Sequence, residues 1–240
     1  MSMSFKEKLR RGSIVTVVNP DHPSPSLTEF IAGLGFDAIF VDCEHGMATI
    51  ERVQEMCRAA RAAGVQSIVR PDTNADWLIT RYFEAGAGGI MVPHIDSAQE
   101  ARALVEAVRY ARYRDYADKV VVAMIESQVA LADLQAILAV EGIDVFFVGP
   151  GDLSASMGRP GQASHPDIRA LVIKTIRRIG AAGKIAGTAV TCDSVAEFAA
   201  SGCRFLYQHA NEFTTVGARD FAARLSSIHS STEAEIGTSA

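Results

Sequence analysis

Eight short apolar segments, each followed by a longer amphipathic one, constrain the fold of this chain more than any other feature. Continuous β-branched runs indicate strands, and apolar residues three or four positions apart indicate helices. The predicted strands are 13–20, 36–44, 66–71, 89–95, 119–127, 144–152, 184–190 and 204–210. The predicted helices are 49–64, 76–87, 98–112, 128–142, 166–183, 194–202 and about 215–229.

Glycines mark the same repeating unit, because helices commonly end at a glycine. They follow five of the predicted helices, at Gly64, Gly86, Gly142, Gly183 and Gly202. Nearly continuous apolar strands are typical of a parallel sheet that is covered on both faces. We therefore predict a single-domain (β/α)₈ TIM barrel over residues 1–230, followed by a polar, disordered tail at 231–240. A doubly wound open sheet is the alternative, although no GxGxxG or GxxxxGK[ST] motif supports its nucleotide-binding version.

Charge and composition exclude several classes of function. The net charge of −5 and the pI of about 5.7 give no reason to expect binding to nucleic acid or to an anionic membrane. No apolar run has the length of a membrane span, and the N-terminal residues lack an apolar signal core. The four cysteines have neither CxxC nor zinc-type spacing, so reduced thiols are expected. These features predict a cytoplasmic protein.

Ionisable residues occur where the predicted strands end. The carboxyl ends of barrel strands meet at one mouth, which is where the catalytic residues of this fold lie. The residues concerned are Asp42, Glu44, His45, Arg70, His94, Glu126, Asp152 and His209. Arg70 ends an apolar strand and therefore needs an anionic partner. Glu126 and Asp152, on neighbouring strand ends, can either titrate as a repelling pair or hold a cation together. His94 and His209, taken alone, are interpreted as structural or pocket-lining.

No lysine is expected at this mouth. The chain has lysine only at Lys6, Lys8, Lys119, Lys174 and Lys184, which lie in the N-terminal segment, at strand starts or on a helix. A Schiff-base mechanism requires a desolvated lysine at the site. Any enolate chemistry would therefore depend on a metal ion acting as Lewis acid.

Five motifs together resemble the HpcH/HpaI-type class II pyruvate aldolases. They are VDCEHG, VRP, EAGAGGIMVPHIDSAQEA, the glutamate of MIES, and VGPGDLSASMG, and the likeness extends from about residue 5 to residue 225. The resemblance implies a TIM barrel that forms a homo-oligomer, a trimer or a hexamer, with the last helix exchanged between subunits. It also implies reversible cleavage of a 4-hydroxy-2-oxo acid to an aldehyde and pyruvate, or a close analogue such as hydroxypyruvate.

The resemblance also implies roles for individual residues. Glu126 and Asp152 would bind a divalent cation, Mg²⁺, Mn²⁺ or Co²⁺, and the backbone amides of Gly151 and Asp152 would hold the carboxylate of pyruvate. Arg70 would stabilise the negative charge on the enolate oxygen. His45 would act as the base through a metal-bound water.

Four further positions follow from the same resemblance. Glu84 matches a family position, usually aspartate, that raises the basicity of His45, and Asp42 is the alternative residue for this role. Glu44 would orient metal-bound water. Met124 stands where close relatives have a glutamine that contacts substrate, so this wall of the pocket is expected to be apolar.

One family segment is missing or much shorter here. Relatives have a glycine- and arginine-rich segment between the predicted helix 98–112 and the next strand, and it helps to shape the aldehyde side of the pocket. In this chain, residues 110–119 lead directly into the strand. The aldehyde is therefore not predicted, and two alternatives stay open: decarboxylation of a β-keto acid such as oxaloacetate at the same site, and a barrel that binds a keto acid or metal without turnover.

Overall fold

Eight parallel strands close into a barrel in chain order. The computed structural model describes the backbone of residues 3–237 and the side chains of residues 3–226. The strands are β1 (Val15–Asn19), β2 (Ala38–Asp42), β3 (Gln66–Arg70), β4 (Gly89–Val92), β5 (Val120–Ile125), β6 (Val145–Val148), β7 (Ala186–Ala189) and β8 (Phe205–His209). Strand β8 pairs with β1 over five residue pairs, from Val15–Phe205 to Asn19–His209, which completes the ring. The predicted TIM barrel is thus confirmed, and the open-sheet alternative is wrong.

Eleven α-helices surround or flank the strands in the described chain. They are α1 (Phe5–Arg10), α2 (Pro25–Ala32), α3 (Ile50–Ala62), α4 (Asp76–Glu84), α5 (Ala98–Ala111), α6 (Gln128–Ala132), α7 (Leu134–Leu138), α8 (Pro150–Ser156), α9 (Pro166–Ala181), α10 (Val195–Ala200) and α11 (Ala210–Gly237). A short 3₁₀ helix, Tyr116–Asp118, precedes β5. Among the helices described, none is both long and apolar enough to cross a lipid bilayer.

The helices differ from the predicted ones in the middle of the chain and at its C-terminal end, and helices α1, α2 and α8 were not predicted. The predicted helix 128–142 is two short helices that meet at Asp133, whose Oδ2 accepts the backbone N–H of Ala98 at 3.0 Å. Helix α11 begins at Ala210, and its backbone continues to Gly237, seven residues into the predicted tail. The remaining tail residues, 238–240, lie outside the described residues, so the predicted disorder of the tail stays a prediction.

The barrel interior is filled by large apolar side chains. Phe40, Phe147 and Tyr207 pack edge to face there, with centroid distances of 5.0 Å for Phe40–Tyr207 and 5.9 Å for Phe147–Tyr207. Helix α1 closes the end where the strands begin, and its Phe5 contacts Phe205 at 6.2 Å between ring centroids. The interior is thus a packed core, which leaves only the opposite end for a substrate.

The shortened segment at residues 110–119 lies at that closed end. Arg112 donates two hydrogen bonds to Asp115, at 2.8 and 2.5 Å, and Lys119 lies 3.0 Å from the same carboxylate. The hydroxyl of Tyr116 donates to the carbonyl of Gly142 at 2.9 Å, just before β6 begins. Within the single chain the segment therefore lies away from the mouth and does not shape the aldehyde side of the pocket. Which residues account for the aldehyde stays open.

Candidate active site

Arg70 and Asp42 are neighbours because the register of β2 and β3 pairs them at their carboxyl ends. The guanidinium donates two hydrogen bonds to the carboxylate, Nε to Oδ1 at 2.9 Å and Nη2 to Oδ2 at 2.7 Å. Burial acts to raise the pKa of Asp42, but Arg70 and the backbone N–H groups of His45 and Glu44 outweigh it and hold that pKa below its usual range. The predicted need of Arg70 for an anionic partner is thus met.

Glu44 adds a second carboxylate to the same guanidinium. Its Oε2 lies 2.9 Å from Nη1 of Arg70, an ion pair without the angles of a hydrogen bond. The pKa of Arg70 lies above its usual value, because burial, which lowers it, is outweighed by the bonds to Asp42 and by the charge of Glu44. A guanidinium has five N–H groups, so at least one on Nη2 and one on Nη1 stay available to a substrate oxygen.

The turn after β2 brings His45 to the mouth. Oδ1 of Asp42 accepts the backbone N–H of Glu44 at 3.1 Å and that of His45 at 3.3 Å. A Cβ at Gly46 would lie 2.1 Å from the carbonyl oxygen of Asp42, so only glycine fits there. The imidazole of His45 is exposed, and its Nε2 lies 3.9 Å from Oε2 of Glu44.

Glu126 directly follows β5 and is 1% exposed. Its Oε1 accepts the backbone N–H of His94 at 2.8 Å, whereas no hydrogen-bond donor among the described residues reaches its buried Oε2. Burial raises the pKa of Glu126 to about 7; His94 opposes this rise, and the charges of Asp152 and Glu44 add to it. A Cβ at Gly149 would lie 2.5 Å from Oε2, so that glycine leaves room for the carboxylate.

His94 lies between two carboxylates rather than only lining the pocket. Its Nδ1 is 3.4 Å from Oε1 of Glu126, and its Nε2 is 3.4 Å from Oε1 of Glu44. The backbone of His94 has φ 54°, a left-handed conformation that is uncommon outside glycine. We call Glu44, His94, Glu126 and Asp152 the carboxylate side of the mouth.

The donor set on the carboxylate side fits a hard divalent cation. Such ions prefer carboxylate and water oxygens, and the unpartnered Oε2 of Glu126 is a buried oxygen of this kind. Asp152, in the first turn of α8, contributes the neighbouring negative charge that acts on Glu126. Among the described residues, no cluster of three or more His, Cys, Asp and Glu side chains has the geometry of a metal site. If Glu126 and Asp152 hold a cation, water and substrate have to supply its other ligands.

Two side chains from β1 and β8 meet on the other side of the mouth. Nδ1 of His209 lies 2.5 Å from Oδ1 of Asp21, and Oδ2 of Asp21 accepts the backbone N–H of Asn211 at 2.7 Å. We call Asp21, His22, His45 and His209 the histidine side of the mouth. Sequence reasoning identified His45 and His209 but missed Asp21 and His22, although the NPDHP motif directly after β1 was a signal that could have found them.

A cavity of about 180 Å³ opens between these residues. It is lined by Asn19, Asp21, His22, Pro23, Phe40, Val41, Asp42, His45, Gly46, Met47, Ala48, Met56 and His209. Asp42 and His45 belong both to this cavity and to the neighbourhood of Arg70. The two sides of the mouth therefore form one continuous site.

Three predicted site residues have other surroundings. Glu84 is exposed at the end of α4, beside Glu51 and Arg81, and in the described chain it makes no hydrogen bond or ion pair with His45. Met124 is buried in the barrel core below the mouth. Gly151 is exposed in the first turn of α8, and a Cβ there would meet nothing within 4 Å.

The lysines confirm that no Schiff-base lysine lies at the mouth. Four of them pair with carboxylates elsewhere: Lys6 with Asp144, Lys8 with Asp37, Lys119 with Asp115 and Lys184 with Glu141. The fifth, Lys174, lies on α9. None of the five lines the mouth cavity.

Comparison with known proteins gives a consistent result. The family model for HpcH/HpaI aldolase/citrate lyase matches residues 21–234. The 2-keto-3-deoxy-L-rhamnonate aldolase of Escherichia coli strain K12 is 34% identical over an alignment of 230 positions that covers 86% of each chain. An HpcH/HpaI aldolase/citrate lyase family protein from Burkholderia cenocepacia J2315 superposes with a TM-score of 0.81 at 25% identity, covering 92% of this chain and 98% of that one. The citrate synthase SbnG superposes with a TM-score of 0.83 at 27% identity, covering 97% and 100%.

Proposed function

The chain belongs to the HpcH/HpaI aldolase/citrate lyase family and is an aldolase, a carbon–carbon lyase; within that family we propose that it is specific for a 4-hydroxy-2-oxo acid. It cleaves this substrate reversibly to an aldehyde and pyruvate, or a close analogue such as hydroxypyruvate, through an enolate. One observation carries the proposal. A buried carboxylate oxygen without a partner, on Glu126, lies at the same mouth as an arginine held rigidly by two carboxylates.

The family is typically metal-dependent, and the donor set of the carboxylate side supports the same dependence here. Glu126 and Asp152 would hold Mg²⁺, Mn²⁺ or Co²⁺. When bound, the cation supplies Lewis-acid stabilisation of the enolate charge. Glu44, which lies between Arg70 and His94, would orient the water around that position.

The keto acid would be bound by backbone and arginine donors. The N–H groups of Gly151 and Asp152, in the first turn of α8, donate to its carboxylate. The free N–H groups of Arg70 donate to the C2 oxygen, where negative charge grows during the reaction. Because Asp42 fixes the guanidinium in place, little reorganisation is needed as that charge develops.

His45 would move the proton at C3 of pyruvate. Its ring is exposed at the cavity, and its Nε2 lies 3.9 Å from Oε2 of Glu44. Asp42 supports this role by binding the backbone N–H of His45. For Glu84 the role rests on the resemblance alone, since its contacts in this chain do not include His45.

We also propose that the protein is a cytoplasmic homo-oligomer, a trimer or a hexamer, with α11 exchanged between subunits. Four large apolar side chains of α11 are at least one-third exposed in the single chain: Phe213, Val216, Phe221 and Leu225. Docking against another copy would remove this apolar surface from water.

Exchange of the methyl protons of pyruvate in D₂O tests the enolate chemistry before any aldehyde is known. We expect the methyl NMR signal to decay in the presence of Mn²⁺ or Mg²⁺ and to persist in excess chelator. Equal exchange in chelator would contradict the metal dependence. Metal-dependent binding of pyruvate without exchange would favour the non-catalytic barrel.

A β-keto-acid decarboxylase is the second candidate. The position of residues 110–119 at the closed end supports it, because the segment adds no aldehyde-binding surface within the chain. Release of CO₂ from oxaloacetate that is faster than cleavage of every aldol tested would favour decarboxylation as the main activity.

A further inference from the structure

The pair formed by Asp21 and His209 is not used by the enolate chemistry. Asp21 follows β1 and His209 ends β8, so the pair joins two neighbouring strands at the mouth. The Asp21 carboxylate accepts from His209 through Oδ1 and from the backbone of Asn211 through Oδ2. The backbone N–H of Asp21 donates to Oδ1 of Asn19 at 2.9 Å. Asp21 is therefore held at both its backbone and its side chain.

The backbone of Asp21 is also in an uncommon conformation. Its φ is 63°, and Asp21 and His94 are the two non-glycine residues with positive φ in the described chain. Such conformations are imposed by surrounding contacts, and they cluster where a side chain must be aimed at a ligand. Both of these residues lie at the mouth, one on each side. The left-handed turn aims the Asp21 carboxylate at the ring of His209.

This contact fixes which ring atom of His209 can meet a ligand. A carboxylate only accepts hydrogen bonds, so Nδ1 of His209 is the donor and Nε2 is the atom left free. His209 lines the same cavity as His45 and Asp42, and it also lines a second cavity of about 260 Å³ together with Gln208 and Glu212. A group bound at Nε2 from the first cavity would lie close to the base that acts on pyruvate.

The cavity lining indicates the charge of the ligand. No lysine or arginine lines the cavity that His209 shares with His45, and both carboxylates of that cavity are already paired, Asp42 with Arg70 and Asp21 with His209. The second cavity of His209 contains Arg169, which is paired with Glu197. An anionic group would lack a permanent cation to bind. The volume of about 180 Å³ is also below the roughly 300–1,000 Å³ of pockets for drug-sized ligands, so the ligand must be short.

We propose that His209, oriented by Asp21, is the residue that selects the aldehyde, by hydrogen bonding an uncharged polar substituent next to its carbonyl group. The assignment rests on the proposed aldolase function, because the aldehyde is a substrate only of that reaction. It places recognition of pyruvate and of aldehyde on different sides of the mouth.

The test compares two reactions in the same variants. Proton exchange of pyruvate involves no aldehyde, so it reports pyruvate binding and the base His45. Addition of pyruvate to an aldehyde reports the histidine side. Three aldehydes are compared: glycolaldehyde carries a hydroxyl next to its carbonyl group, acetaldehyde carries no polar substituent, and glyoxylate carries a negative charge. The variants are His209→Phe, His209→Gln and Asp21→Asn. The control is Asp167→Asn, which alters another histidine–aspartate contact: Asp167 lies 3.7 Å from His165 at the start of α9 and lines neither cavity of His209.

In the wild type we expect kcat/KM to be higher for glycolaldehyde than for acetaldehyde, and lowest for glyoxylate. His209→Phe should reduce the glycolaldehyde preference about tenfold, the loss expected for one hydrogen bond, mainly through KM. His209→Gln should restore part of it, and Asp21→Asn should lie between wild type and His209→Phe. In the control Asp167→Asn, the rate of pyruvate proton exchange and the aldehyde preference should both stay within about twofold of wild type.

Two results would overturn the assignment while leaving the aldolase proposal intact. One is an unchanged preference for glycolaldehyde in His209→Phe when that variant still exchanges pyruvate protons. The other is a wild type that prefers glyoxylate. A wild type that exchanges no pyruvate protons with metal present overturns the aldolase proposal itself, and the assignment of His209 falls with it.

Discussion

On the carboxylate side of the mouth Glu126 keeps one buried oxygen without a partner, whereas on the histidine side both oxygens of Asp21 accept hydrogen bonds. The first arrangement raises the pKa of Glu126 to about 7 and leaves a negative position that a cation would stabilise. In the second arrangement both carboxylate oxygens already have partners within the chain, and Nε2 of His209 is the ring atom not used by Asp21. One mouth thus contains a site that is incomplete without a cation and a site suited to an uncharged ligand.

The largest effect is expected at Arg70, which lies between the two sides. Arg70→Lys removes the two parallel hydrogen bonds to Asp42, which a lysine cannot reproduce. We expect proton exchange of pyruvate to slow by about 10²–10³-fold, as for loss of a group that stabilises an oxyanion. The control is Arg52→Lys, which alters an exposed pair with Glu55 on α3. A loss below tenfold would contradict the role of Arg70.

His45→Gln should have the next largest effect. The variant keeps the backbone N–H that binds Asp42 but has no group that can take up a proton at neutral pH. We expect exchange to slow by about 10²-fold, the usual contribution of a general base. Binding of pyruvate, measured by calorimetry with metal present, should change little. Equal losses of binding and exchange would indicate a binding role instead.

Two isosteric variants should change the stability of the metal-free protein in opposite directions. The pKa of Glu126 is raised from 4.5 to about 7, so its stabilising contribution is full below about pH 4.5 and is lost as pH rises through 7. Glu126→Gln should therefore stabilise the protein at pH 8, by on the order of 2 kcal/mol. Asp21→Asn should destabilise it by about 1 kcal/mol, because it weakens two satisfied hydrogen bonds.

Urea unfolding in excess chelator at pH 5 and pH 8 measures both effects. The gain in Glu126→Gln should largely disappear at pH 5, where the wild-type carboxyl is protonated. Added Mn²⁺ should raise the stability of the wild type at pH 8 but not that of Glu126→Gln. If the free energy of unfolding at pH 8 changed in the same direction in both variants, the contrast between the two sides of the mouth would be contradicted.

The smallest effect is expected at the closed end of the barrel. The hydrogen bond from Arg112 and the charge of Lys119 hold the pKa of Asp115 down at about 2, so this stabilisation is present above about pH 4 and is lost as pH falls toward 2. Asp115→Asn should cost less than about 1 kcal/mol at pH 7, because the pair is partly exposed. The rates of pyruvate proton exchange and of pyruvate addition to aldehydes should both stay at wild-type values. A change in aldehyde preference would show that this segment acts on the site after all.

The strands were predictable because most of their residues are buried on both faces; β5 and β6 are buried and apolar at every position. Helices α2 and α8 were missed because both start with proline, in segments whose Pro, Gly and Ser residues read as turns. At the site, Arg70 and Glu126 were predictable as charges that end apolar strands. Asp21 was not, because its left-handed backbone is imposed by tertiary contacts, and the short NPDHP stretch resembles an ordinary turn.

The partners on the two sides of the mouth differ in their distance along the chain. Asp42 and Arg70 are 28 positions apart, and His94 and Glu126 are 32 apart. Asp21 and His209 are separated by 188 positions, and they meet only where the last strand closes against the first. A growing polypeptide can assemble the carboxylate side once β6 has formed and α8 has begun. The histidine side has to wait for ring closure, so during synthesis the means to choose an aldehyde is completed last.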